Sequence, residues 1–164
     1  MDDMFNIFNA GNVNDKLRFM RDRKIGVGIK YPLQPSNTYE KDLAKVSSIY
    51  AINQSIYIIL STRVGERFFL PEFGTRLYEY LFEPNTYIVK DLVRDEIMRC
   101  LKMWEQRIEN IQVTVTDKND EGNYLICTID YKVKDTMETG SFVYPINTDI
   151  YEFGKEVTNE TLGK

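Results

Sequence analysis

The chain has 164 residues, a formal charge of −4, 43% hydrophobic residues and no histidine. That is one domain of ordinary size, able to bury about two thirds of its surface without staples, and its interspersed charges do not support a surface that tracks nucleic-acid phosphates. Without histidine, the commonest general base, the commonest zinc ligand and every Ser-His or Cys-His dyad are excluded.

Residues 1–24 read as an extension. Phe5, Phe8, Val13, Leu17 and Met20 give an apolar side, and Arg18, Arg21, Arg23 and Lys24 add positive charge. Such a basic amphipathic helix either docks on a membrane or acidic partner, or packs on its own domain. The acidic opening, MDDMFNIFNAGNV, is not a signal peptide. The longest apolar run, 56–60, is far too short to span a membrane, so the protein is expected to be made and used on the cytoplasmic side. Cys100 and Cys127 share no pairing pattern and read as small buried residues in a reducing compartment.

Residues 24–39 read as extended. Gly26, Val27, Gly28 and Ile29 suit a strand, and Pro32 and Pro35 keep the following segment out of the helical region. Helical spacing then predicts a helix over 46–62, with Val46, Ile49, Ile52 or Asn53, Ile56, and Ile59 or Leu60 on one face and Asp42 or Ser47 as its cap. Each such aliphatic, once buried, is worth roughly 1.5–3 kcal/mol, so this helix should be the spine of the core.

Gly65 is placed to end that helix. A bend marked by Gly65, Pro71 and Gly74 follows, with Phe68, Phe69 and Leu70 as a possible short strand inside it. Leu77, Tyr80 and Leu81 make one short helical face, closed at Pro84. The bend carries Glu66, Arg67 and Glu72, with Glu83 just beyond it.

A second long helix begins after Asn85 or Thr86, with Val89, Val93, Ile97, Cys100 or Leu101, and Trp104 on one stripe. From there the period becomes two. Ile111, Val113 and Val115 form one strand, the sequence 119–123 (NDEGN) a turn, and Leu125, Cys127, Ile129, Tyr131 and Val133 a longer strand. Gly140 marks a second turn before a strand over 141–146 that ends at Pro145. The tail, 147–164, reads as extended and carries Tyr151 and Phe153. The implied class is α+β: two long helices and one short helix packed on a small antiparallel sheet, a C-terminal three-stranded meander with a possible extra N-terminal strand.

Glu66, Glu72 and Glu83 are the acids a glycosidase would need, but nothing in the sequence supplies a cleft or a raised pKa. Arg63, Arg67 and Arg76 are placed to pair with them instead. The acidic turn of Asp117, Asn119, Asp120 and Glu121 lacks calcium-loop spacing, and Gly26 and Gly28 lack the rest of a dinucleotide fingerprint. No metal or cofactor is expected. Trp104, Glu105, Gln106 and Arg107 sit at the junction of the second helix and the meander. This is either an interface anchor, since Trp and Arg dominate hot spots, or a core Trp beside a surface ion pair.

The order Gln54-Ser55-Ile56, Ile59-Leu60-Ser61-Thr62, Gly65-Glu66-Arg67, Pro71-Glu72-Phe73-Gly74 and Phe82-Glu83-Pro84 resembles the baseplate wedge family of contractile tails. These are the sheath initiators of contractile phage tails, injection particles and type VI secretion systems, once labelled lysozyme-like. The resemblance spans about 25–146, with 1–24 and 147–164 outside it. The family's Glu-Pro-Arg tripeptide corresponds to Glu105-Gln106-Arg107, with Gln in place of Pro, and its Tyr-Pro to Tyr144-Pro145.

The resemblance implies a structural part, not an enzyme, in six copies around the tail tube. It implies contact with other wedge subunits through a core bundle engaged by the Glu105 and Arg107 charges. It also implies sheath subunits docking by strand addition, for which Val27, Ile29, Tyr151 and Phe153 are candidates. Such a part is made in the cytoplasm of a bacterial host and assembled into a particle, with no nucleic-acid partner and no stable membrane insertion. A soluble adaptor of the same fold binding one regulatory partner is the alternative, with a peptidoglycan glycosidase behind it.

Overall fold

The computed structural model describes residues 25–35, 43–81, 83–84, 86–117 and 124–147. The chain divides into two compact units, Met1–Ala51 and Ile52–Lys164. The N-terminal basic helix, Asp42, the tip at 118–123 and the tail with Tyr151 and Phe153 lie outside the described residues.

In the first unit, β1 (Val27–Ile29) pairs antiparallel with β2 (Lys45–Ser47), Val27 opposite Ser47 and Ile29 opposite Lys45. The expected N-terminal strand therefore exists but forms a separate two-stranded ribbon and does not join the meander. Val46, expected on the helix, lies in β2. The helix itself, α1 (Ser48–Ser61), starts two residues later than its apolar spacing suggests. Ser48 enters it with a positive φ of 61°, which breaks the extended run abruptly.

The second unit holds the main core. The inward face of α1 buries Ile52, Asn53, Ile56, Ile59 and Leu60. A single 3₁₀ turn, Leu77–Glu79, replaces the expected short helix, and only its Leu77 is buried. α2 (Tyr87–Trp104) is capped by Thr86, whose hydroxyl accepts the Val89 N–H at 3.3 Å. It buries the expected stripe of Val89, Val93, Ile97, Cys100 and Leu101.

The meander comprises β3 (Ile108–Asp117), β4 (Tyr124–Val133) and β5 (Thr139–Asn147), antiparallel in that order. Alternation is kept on β4, where Cys127, Ile129, Tyr131 and Val133 are buried, and on β5, where Phe142, Tyr144 and Ile146 are. On β3 it breaks. A bulge between Glu109 and Gln112, with Asn110 at φ 50°, resets the parity, so Ile108 and Val113 are both buried while Ile111 is half-buried.

α1 meets the buried face of the sheet through Tyr57, edge-on to Tyr144 at 6.4 Å, and Asn53, whose Oδ1 accepts the Tyr131 hydroxyl at 2.5 Å. That hydrogen bond explains Gly140, which is no turn residue. It lies in β5 opposite Tyr131, and a Cβ there would sit 2.5 Å from the Tyr131 ring and hydroxyl. The turn comes earlier, where the Met137 N–H donates to Val133 O at 2.9 Å with Met137 at φ 58°. Pro145, expected at the strand's end, lies inside β5. It is tolerated because β5 is an outer strand.

Candidate functional site

The bend and the helix–strand junction, separate in sequence, form one region. α1 ends at Ser61, so Gly65, expected to close the helix, lies four residues further on inside the bend at φ 89°, where its N–H donates to Pro71 O at 2.8 Å and closes the bend on itself. Glu66 Oε2 accepts the Arg63 N–H at 2.9 Å. Gly74, at φ 107°, brings the chain back against the end of α1, where the Thr75 N–H donates to Thr62 O at 2.9 Å.

α2 holds the returning chain. The Arg76 N–H donates to Glu96 Oε1 at 3.0 Å, and the Cys100 thiol to Gly74 O at 3.2 Å. Burial pushes the Cys100 thiol up to about 12, which keeps it a donor. The Arg99 guanidinium, bonded to both Glu96 oxygens at 2.8 Å, holds that carboxyl below its usual range against the opposing effect of burial. The Glu96 carboxylate is therefore charged where it receives the backbone N–H of the bend.

The expected strand at Phe68, Phe69 and Leu70 is absent. These residues sit on exposed turns, because Pro71 and the Gly65 closure allow no extended run. Among the described residues Arg63, Arg67 and Arg76 form no ion pair with Glu66, Glu72 or Glu83, which are all exposed. Arg63 lies over the Tyr78 ring at 5.1 Å and Arg67 over the Phe73 ring at 4.6 Å, so the aromatics outcompete the acids for these guanidinium groups.

Phe73 in turn packs edge-on to Trp104 at 5.2 Å. The stack of Arg67, Phe73 and Trp104 joins the bend to the junction. Trp104 Nε1 is buried without an acceptor among the described residues, so its indole serves as a packing surface.

At the junction Glu105 ends α2, its N–H donating to Leu101 O at 2.9 Å, and is only 3% exposed. Arg107 grips it with a fork: Nε to Oε1 at 2.7 Å and Nη2 to Oε2 at 2.6 Å. Burial opposes ionisation of Glu105. The bonds from Arg107 and from the Ser55 side chain, with the guanidinium charge, outweigh it, and the carboxyl is held below its usual range. The same bond to Glu105 raises Arg107. The pair is thus closed on its own domain: Glu105 faces inward, while the Arg107 side chain stays 35% exposed and Gln106 is exposed. Ser55, on α1, is the member that sequence spacing does not reveal.

Gln106 stands where the resemblance drawn from the sequence leads one to expect proline. Its N–H meets no acceptor among the described residues, and Glu105 before it, at φ −113°, ψ 81°, lies outside the helical region that a following proline disfavours. Gln106→Pro should therefore be accepted and stabilise the chain by about 0.4–1 kcal/mol, through loss of unfolded-state freedom. Urea denaturation checks it; a loss of stability would mean that the corner cannot hold the proline ring.

A family model described as baseplate wedge protein gp25 matches residues 47–138. The baseplate wedge protein gp25 of Enterobacteria phage T4 is 34% identical over 100 residues, covering 61% of this chain and 75% of that protein. A crystal structure of a proposed tail lysozyme from Geobacter sulfurreducens is 33% identical with a TM-score of 0.57, covering 62% of this chain and 93% of that one. A chain of the anti-feeding prophage baseplate, solved by cryo-EM and 6-fold symmetrised, is 17% identical with a TM-score of 0.59, covering 81% and 95%. At that identity the likeness is one of fold.

Proposed function

We propose a function for this chain from one premise: it belongs to the family of baseplate wedge protein gp25 of contractile tails and related injection systems. Within a baseplate, its task is to join the wedge core bundle around the tail tube and to start the sheath. The observation that carries this reading is the corner at residues 104–107. A buried, forked ion pair fixes the direction in which the chain leaves α2, and it presents Gln106 at the surface of the corner. Six copies around the tube accord with the 6-fold baseplate that holds a chain of this fold.

Sheath subunits dock by strand addition. β3 and β5 are the outer strands of the meander among the described residues. The ribbon of β1 and β2 has three residues per strand and would gain from a third strand, since a lone two-stranded ribbon is marginal in water. Val27 and Ile29, 55% and 53% exposed, are the candidates on this ribbon for contact with an added strand. Tyr151 and Phe153 remain candidates from the sequence.

The role is structural. Glu66, Glu72 and Glu83 lie on exposed turns, and one of them already receives a backbone N–H, an arrangement unlike a paired-carboxylate cleft. No described helix is long and apolar enough to cross a membrane. The protein is made in the bacterial host cytoplasm and assembles there.

Removing the chain from a producing host tests this. Electron microscopy should find tubes and baseplate parts without an extended sheath. Normally sheathed particles lacking the chain would overturn the assignment, and a one-to-one complex with a non-tail protein would favour a soluble adaptor.

A further inference from the structure

Phe68 and Phe69 are 91% and 94% exposed, packed edge-to-face on each other at 5.1 Å with their rings 89° apart. Neither contributes to the core of its own domain. With Leu70, 40% exposed beside them, and each Phe worth roughly 150–250 Å², they present an apolar knob on the scale of surfaces that mark interaction sites. The knob is held firmly. The Gly65 N–H donates to Pro71 O across its base at 2.8 Å, the Leu70 N–H to Arg67 O at 3.2 Å and the Phe73 N–H to Leu70 O at 3.1 Å. Arg67 lies over the Phe73 ring and Trp104 packs edge-on to it. A preorganised aromatic pair loses little freedom when it is covered, which is what an anchor residue requires.

We infer that Phe68 and Phe69 insert into an apolar pocket on a different protein subunit of the assembled particle, an inference that rests on the baseplate reading. Three observations select this occupant. The charges around the knob, Arg63 and Arg67 against Glu66 and Glu72, are balanced, where an anionic lipid surface calls for a basic rim. Both rings stand almost fully exposed, so a symmetric dimer would set knob against knob. Its area also falls well short of the roughly 800 Å² per partner of a freestanding complex. A contact of that size is sufficient where several contacts act together, as they do in a multi-subunit particle.

The test uses particles purified from a producing host. Phe68→Ser with Phe69→Ser should leave the urea midpoint of the isolated chain unchanged, and should lower the amount of chain in purified particles by roughly tenfold or more. Equal incorporation of double variant and wild type would overturn the inference alone. Absence of the wild-type chain from particles would overturn the baseplate reading and the inference together. In a second arm, a benzophenone amino acid replaces Phe69 and assembled particles are irradiated. A crosslink to a different baseplate protein supports the anchor. Crosslinks confined to the same chain, a second copy or lipid overturn it.

Discussion

Arg107→Ala should cost about 3 kcal/mol at neutral pH, and more than Glu105→Ala, although the two residues share one ion pair. The asymmetry follows from exposure. Removing Arg107 takes both guanidinium bonds from a carboxylate that is only 3% exposed in the wild type, with Ser55 as its remaining side-chain donor. Removing Glu105 instead takes one partner from a guanidinium that is already 35% exposed and can turn to water. Glu105→Ala should therefore cost only about 1–2 kcal/mol, from the lost packing and the lost acceptor for Ser55. Urea denaturation of both variants decides the order, and an equal or reversed cost would show that the pair is not buried as described.

The pH dependence that Glu105 confers has opposite signs in the wild type and in Arg107→Ala. In the wild type the folded-state pKa of Glu105 lies below the unfolded value. The stability it contributes is complete above the unfolded pKa, near 4.5, and is lost as pH falls through the folded value. In Arg107→Ala, burial acts without its counterweight and should raise the folded pKa above the unfolded one. The penalty is then full at neutral pH and relieved as pH falls. The gap between wild type and Arg107→Ala should accordingly narrow from pH 7 to pH 4. Within the Glu105→Gln background this titration is gone, and adding Arg107→Ala should give a cost that no longer varies with pH through Glu105.

These expectations differ from a reading of Glu105 and Arg107 as free charges awaiting a partner. Their position at an element boundary is legible in the sequence, but their closure on each other is not. It depends on where α2 stops and on Ser55 arriving from α1, fifty residues earlier in the chain. The same distinction runs through the fold. Both long helices and the β4 pattern were readable, because a repeating period reports a repeating face. Glycine usually punctuates, so Gly140 reads from the sequence as a turn. Its actual reason is the Tyr131 ring, placed by a hydrogen bond to Asn53 across 78 positions. The run of Phe68 and Phe69 suggests a short strand because hydrophobicity suggests burial, yet hydrophobicity does not say whether the burial is within the chain or against a neighbour. The bulge on β3 left a trace only in Asn110, one of the few side chains that accept a left-handed backbone readily.

Gly74→Ala should be the most damaging single substitution in the bend, costing about 4 kcal/mol. Two independent effects add there. The backbone is at φ 107°, where any side chain is strained. An added Cβ would also lie 2.3 Å from Thr62 O and 2.9 Å from Thr62 C, atoms of the backbone that cannot swing aside. Relief requires the returning chain to move away from the end of α1. That movement would break the Thr75 N–H bond to Thr62 O and draw Gly74 O away from the Cys100 thiol. Phe73 is the adjacent residue and must move with it, so the disturbance reaches Trp104. Because the chain contains a single tryptophan, fluorescence reads this position alone. The expected result is a large fall in the urea midpoint together with altered Trp104 emission already visible in the folded protein. Gly65→Ala provides the comparison. Gly65 has a positive φ of 89° but nothing within 4 Å of an added Cβ, so it should show the backbone strain without the clash and leave Trp104 emission nearly unchanged. If the two alanine variants behaved alike, the close approach at Thr62 would not be what holds the bend. The Arg67, Phe73 and Trp104 stack would then have to be anchored from the α2 side, through Glu96 and Cys100, rather than from α1.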